Sequence, residues 1–167
     1  SRGRPIRPSR SERSGEVREV GQERLVVGVH AVAGHVAVGQ DTELDVDDET
    51  GEVDLIRIAA AHDCGTAINP MLVEGQIIGG LAQGLGGALF EEFTYTDNGD
   101  PLAVTFADYL IPTAREVPAV ETFVSEDAPS PLNTYGFKGA GEGGITPVGA
   151  AIASAIDDAL QRPGAVT

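Results

Sequence analysis

The chain has 167 residues and a mass of 17.3 kDa, with 41% apolar side chains and only 5% aromatics. A chain near this size buries about two-thirds of its unfolded surface, enough for a real core. A formal charge of −15, one Cys and no long apolar run exclude non-specific nucleic-acid binding, an internal disulfide, a Cys-rich metal site and a membrane-spanning helix.

Charge is divided along the chain. Residues 1–40 hold seven Arg and four Glu, a net of +3, while residues 41–167 hold 22 acids and four bases, a net of −18. Lys138 is the only lysine. An acidic, lysine-poor surface suits high salt, where screening removes self-repulsion, and ordinary acidic domains share it. No signal-peptide pattern opens the chain, so a cytoplasmic place is expected.

Residues 1–24 are rich in Arg, Ser, Pro and Gly, a composition that buries too little surface to fold. Residues 25–40 are then almost purely Val, Ala, Gly and His. Two readings stand: a disordered tail leading into one strand, or a non-native segment such as a misread frame. The boundary is placed at Asp41, with 1–40 as tail and 41–167 as body. Thr42, Leu44 and Val46 alternate with acids, and after the turn cluster Asp48–Gly51 come Val53, Leu55, Ile56 and Ile58, so a β-hairpin is predicted. Asn69-Pro70 reads as a breaker.

Val73, Ile77, Leu81, Leu85 and Leu89 recur every four residues and predict a helix over 71–93. Gly75, Gly79, Gly80, Gly84, Gly86 and Gly87 lie on it, each costing about 1 kcal/mol against Ala where exposed. The helix is therefore expected to approach another helix or a ligand closely. A turn at Asp97–Asp100 precedes alternating Leu102, Val104 and Phe106, a strand pattern, and Val120–Val124 is a further short strand. Residues 127–147 read as loop. Thr146 as N-cap and Pro147 at the first position open a closing helix with a stripe of Val148, Ile152, Ala155, Ile156 and Ala159. The fold class is α+β: short strands and hairpins, a glycine-rich helix and a closing C-terminal helix.

The most informative stretch is Lys138-Gly139-Ala140-Gly141-Glu142-Gly143-Gly144-Ile145-Thr146-Pro147. Its glycines let successive backbone N–H groups point inward, just before a helix N-terminus, which is anion-binding geometry. Glu142 in its middle is a partner of those amides, a positioned base, or a solvated side chain on a flexible loop. Gln76 and Gln83 lie two turns apart on one helix face, suited to a polar ligand or to the edge of a helix–helix contact. His62, Asp63 and Cys64 are neighbours that do not converge on one substrate, and Cys64 reads as a small buried residue. No metal-ligand spacing is present, and no protein metal ligand is expected.

The stretch AHDCGTAINP with the glycine-rich helix that follows, DYLIPTA at 108–114, and APSPLNTYGFKGAGEGG at 128–144 resemble one family in this order. It is the molybdenum-cofactor-binding large subunit of the xanthine dehydrogenase, aldehyde oxidase and aerobic carbon monoxide dehydrogenase family, at its C-terminal end. The resemblance runs from about Asp45 to Leu160 and does not reach residues 1–40. It implies part of a larger molybdopterin-binding domain that oxidises an aldehyde, an aromatic heterocycle or CO with water as oxygen source. It implies a molybdenum–molybdopterin cofactor, in prokaryotes often the cytosine dinucleotide form, with iron–sulfur and FAD subunits or domains as partners. Glu142 matches the catalytic glutamate that acts as general base. Gly139, Ala140 and Gly141 match the loop lying against the cofactor, and Gln76 matches a glutamine on the pterin's phosphate side. Gln83 belongs to the same motif. Large subunits are several times longer, so the chain is read as a fragment, inactive alone. The competing reading is a non-catalytic acidic binding or assembly module that keeps the family scaffold.

Overall fold

The computed structural model describes residues 22–33, 36–162, 164 and 166. Four strands form one sheet in the order β1 (Gln22–Ala33), β2 (Val36–Asp47), β3 (Val53–Asp63) and β4 (Ala119–Ser125). The first three run antiparallel, and β4 lies parallel to β3. Two helices, α1 (Pro70–Leu89) and α2 (Val148–Ala159), cover one face, giving the expected α+β class. Neither is long and apolar enough to cross a membrane.

The β2–β3 hairpin forms as its alternation predicts, with Thr42 opposite Ile58 and Val46 opposite Val53. Asp41 is not an element boundary, however. Strand β2 begins at Val36, and β1 pairs with it from Ala33–Val36 to Gln22–Asp47. Of the stretch read as a tail leading into one strand, or as a non-native segment, residues 22–33 and 36–40 lie in two paired strands whose ladder hydrogen bonds satisfy their backbone. The remainder, residues 1–21 with 34 and 35, lies outside the described residues. The irregular spacing of Leu55, Ile56 and Ile58 has a physical cause, a register shift at Glu43/Leu44. One extra residue in β3 switches the phase of its side chains. Val53 and Leu55 before it, and Ile58, Ala60 and His62 after it, therefore all face the helices.

Helix α1 lays Ile77, Leu81 and Leu85 on Ile58 and Ala60, and α2 adds Val148 and Ile152 to that core. Ala155 and Ala159 of α2 pack on Leu44 and Val46. The breaker Asn69-Pro70 is the start of α1: Asn69 Oδ1 accepts from Leu72 N at 3.2 Å, with Pro70 in the first turn. The helix ends at Leu89, short of the expected residue 93. Phe90 N and Glu91 N both donate to Gly86 O, and the chain folds back so that the Glu91 side chain and Pro112 close over Gly86.

Residues 102–106 do not form the expected strand. Pairing stops at the isolated bridge Tyr95–Pro101 and the bond from Leu102 N to Thr94 O at 2.9 Å, and Leu102, Val104 and Phe106 stand exposed. Alternation alone lacks a neighbouring strand to bond with. Thr146 does not cap α2. Pro147 holds that position without a side-chain bond, because the Thr146 hydroxyl donates backward to Glu142 O at 3.0 Å.

The glycines divide into two sets. A Cβ on Gly80 would press on Gly144 and Ile145 at 3.0–3.2 Å, one on Gly84 would meet Val148 at 2.7 Å, and one on Gly144 would collide with the Ile77 carbonyl. Gly75, Gly79 and Gly87 face open space. Gly144→Ala is therefore expected to destabilise by about 1–3 kcal/mol through overpacking. Gly87→Ala should stabilise by up to about 1 kcal/mol by removing helical glycine. Urea denaturation midpoints of the two variants check this, and equal shifts would refute the division.

Candidate functional site

A cleft of ≈ 290 Å³ opens between the N-terminal turns of α1 and the segment 137–141. Its walls include Cys64, Asn69, Leu72 and Gln76 on one side and Phe137, Lys138, Ala140 and Gly141 on the other. The positive end of the α1 dipole thus lies at the cleft. The lining is largely apolar with few polar groups, the usual make-up of a small-molecule site.

Two left-handed glycines bring these walls together. Gly65 has φ 62° and Gly136 has φ 75°, conformations that other residues adopt with strain. A Cβ on Gly65 would collide with the Gly136 carbonyl. Across this close approach Thr66 N donates to Gly136 O at 3.1 Å and Lys138 N to Cys64 O at 2.8 Å. Sequence reasoning missed this role, whose signal was Gly65 two residues past the β3 end and Gly136 two residues before Lys138.

The structure brings Gln76, Ala140 and Gly141 to one cleft. Gly139 opens the same loop, and neither Gly139 nor Gly141 has any atom within 4 Å of where a Cβ would stand. Gln83 is exposed but is not part of the cleft wall, being roughly 10 Å farther along α1. Glu142 is exposed beside Gly141, its carbonyl held by Ile145 N at 3.2 Å and by Thr146 Oγ1 at 3.0 Å. Among the described residues, the backbone N–H groups of Gly139, Ala140, Gly141 and Glu142 donate to no other protein group. The loop does not feed directly into a helix as expected, because a turn over 143–147 precedes α2.

Behind the loop, buried polar groups hold both ends. Asp63 and Lys138, 15% and 8% exposed at their side chains, pair at 2.6 Å, and Asp63 Oδ1 also accepts from Gly65 N at 2.9 Å. Burial by itself would raise the Asp63 pKa, but the Lys138 ammonium and the Gly65 amide outweigh it and hold the carboxyl below its ordinary value. At the far end Gln40, 2% exposed, donates from Nε2 to Gly144 O at 3.0 Å. The His62 ring fills the space a Cβ on Gly143 would need. His62 is also 2% exposed, and among the described residues neither ring nitrogen meets hydrogen-bond geometry. Burial lowers its pKa against weaker upward pulls from the Gly139 backbone and Asp63. Burial likewise pushes the Cys64 thiol up, so Cys64 is a buried wall of the cleft and no activated nucleophile.

Residues 32–118 match the family described as molybdopterin cofactor-binding domain. The chain is 51% identical over 118 residues to the 6-hydroxypseudooxynicotine dehydrogenase complex subunit gamma of Paenarthrobacter nicotinovorans, across 71% of this chain and 15% of that one. It is 42% identical over 99 residues to the carbon monoxide dehydrogenase large chain of Afipia carboxidovorans, across 59% of this chain and 12% of that one. Quinoline 2-oxidoreductase from Pseudomonas putida 86 superposes with a TM-score of 0.71 at 42% identity, covering 75% of this chain and 16% of that one. The chain therefore belongs to the molybdopterin cofactor-binding family, and spans about 12–15% of the length of these curated relatives.

The buried imidazole makes acid stability a test of the cleft's rear wall. With the folded pKa of His62 lowered, the unfolded chain takes up the proton first as pH falls. This contribution is complete above the ordinary value of 6.5 and is lost as pH drops through 6.5 towards the folded value. Urea midpoints should fall between about pH 7.5 and 5.5 in the parent chain, and His62→Met should remove most of that fall. An unchanged pH dependence would refute the assignment.

Proposed function

We propose that this segment forms one wall of the cofactor site of a molybdenum hydroxylase and supplies its general base. The observation that carries the reading is the run of uncommitted amides Gly139–Glu142 beside Gln76 at a cleft that also holds the N-terminus of α1. A pterin with its phosphate is flat and anionic. Amide donors and a helix N-terminus suit the anion, and the open space at Gly139 and Gly141 suits a ring lying against backbone. These residues fit the group.

In this reading Gln76 donates to the phosphate side, and the backbone of Gly139, Ala140 and Gly141 borders the pterin. Gln83, farther along the exposed face of α1, serves a more distal part of the same group, such as the nucleotide of the cytosine dinucleotide form. When bound, the molybdenum–pterin group supplies the two-electron redox chemistry. Water provides the oxygen, and each substrate carbon oxidised releases two protons and two electrons. That balance is the same for an aldehyde, an aromatic heterocycle or CO. The Glu142 carboxylate accepts one of the protons as general base. Iron–sulfur and FAD subunits or domains receive the electrons. Residues 41–167 form the C-terminal portion of a larger domain. Its missing walls would cover exposed side chains such as Ile68 and Tyr135, which are 77% and 75% accessible.

The test is molybdenum and pterin content, and turnover per molybdenum, of the enzyme assembled around this segment. Glu142→Gln keeps the loop's shape but cannot accept a proton. It should retain the cofactor and lower turnover per molybdenum by about 10²–10⁴-fold. Gln76→Ala should lower cofactor occupancy more than turnover per molybdenum. Near-parental turnover per molybdenum in Glu142→Gln would refute the base, and absence of pterin from the parental protein would refute the site.

A further inference from the structure

A cation in a cleft suited to an anion would ordinarily be assigned to ligand binding. Lys138 lines the cleft and is the only lysine in the chain, yet its ammonium is already committed. Its Nζ lies 2.6 Å from Asp63 Oδ2, and its side chain is only 8% exposed. Its backbone N–H is committed too, to Cys64 O at 2.8 Å. Asp63 closes the β3 strand, whose Ile58 and Ala60 stand in the core, and its second oxygen holds Gly65 N at 2.9 Å. Lys138 is therefore pinned by main chain and side chain to the end of β3.

The residues just after Lys138 have no such support. Gly139, Ala140, Gly141 and Glu142 donate no backbone bond among the described residues, and two of the four are glycines with open surroundings. The next fixed points are Gly143 against the His62 ring and Gly144 under Gln40. The four residues thus span two buried anchors, one ionic and one packed. A glycine-containing span whose amides are uncommitted takes its position largely from its ends, here Lys138 on one side and, on the other, the Glu142 carbonyl held by Ile145 N and Thr146 Oγ1.

We propose that the Asp63–Lys138 pair is a positioning device: it sets where the loop of Gly139–Glu142 leaves the sheet, and so where the amides and the Glu142 carboxylate stand. Neither residue touches the reacting atoms. The inference deepens the cofactor reading and rests on it for its purpose, but the mechanical claim concerns this chain alone.

The experiment is ¹⁵N relaxation on the full chain, without cofactor, reading Gly139 and Gly141 against Gly79 in α1 and Gly149 in α2. In the parent chain all four should show order parameters near the rigid value of about 0.85. In Lys138→Met the two loop glycines should drop below about 0.6 while Gly79 and Gly149 hold. Lys138→Arg, which restores the charge pair, should recover them. Since Lys138→Met leaves Asp63 buried and unpaired and could unfold the chain, the double variant Asp63→Asn/Lys138→Met is measured beside it, with the same loop loosening expected. Loop order parameters equal to the parent's in the double variant would overturn the proposal. So would loss of the Gly79 and Gly149 signals together with the loop, which would make the pair a general prop of the fold. In parallel, pterin content is measured in the enzyme assembled around each version of this segment. If the loop loosens as expected but no assembled version, the parent included, holds pterin, positioning stands and the cofactor reading falls.

Discussion

Everything in the site depends on how closely α1 can approach the end of the glycine loop. Backbone meets backbone there: Gly144 sits under the Ile77 carbonyl, and Gly80 sits under Gly144 and Ile145. Side chains at these points would hold the two elements apart by the thickness of a methyl group or more. Because they are absent, Gln76 on the helix and Ala140 and Gly141 on the loop line one cleft. The same approach seats Val148 against Gly84, fixing the start of α2 and with it the second half of the core. The conformational cost of several helical glycines is offset by this contact and by the core it closes.

The sheet provides the rear wall through a different device. The register shift at Glu43/Leu44 lets both halves of β3 turn their side chains to the helices. Without it, a strictly alternating β3 would bury either Val53 and Leu55 or Ile58, Ala60 and His62, never both sets. The bulge is what delivers His62 to the underside of Gly143 and Asp63 to Lys138. On the opposite face Arg57 spans from the largely buried Glu43 at 3.4 Å to the exposed Glu121 at 3.1 Å, tying β2, β3 and β4; the exposed Glu121 pair is of the kind that adds little stability.

The site is also one-sided. Phe106, Ile68 and Leu132 are 81%, 77% and 77% accessible, large apolar surfaces that a closed domain would cover. The loop over residues 90–118, which adds no strand to the sheet, carries Phe93, Val104 and Phe106 around a second hollow, of ≈ 230 Å³. Such surfaces agree with a chain that spans a small share of its relatives' length.

By itself the amino-acid sequence determined the α+β class, the β2–β3 hairpin, the buried stripe Ile77–Leu81–Leu85 and the short strand at 119–125, because periodicity is local and each period fits one backbone geometry. It also singled out Glu142 and its glycines, since ordered motifs survive in the chain whatever the fold does with them. Only the tertiary structure decided which glycines are for packing and which face open space, a distinction that depends on atoms more than 60 residues away in the chain, as for Gly80 and Gly144. It paired residues 22–33 with 36–47 as two neighbouring strands, since strand pairing needs a partner that composition does not name. It denied Leu102, Val104 and Phe106 a strand for the same reason. It separated Gln83 from Gln76, and it turned the adjacent His62 and Asp63 into two different supports for one loop. Neighbours along a strand point to opposite faces, and what each side chain can hold is set by what the fold brings to that face.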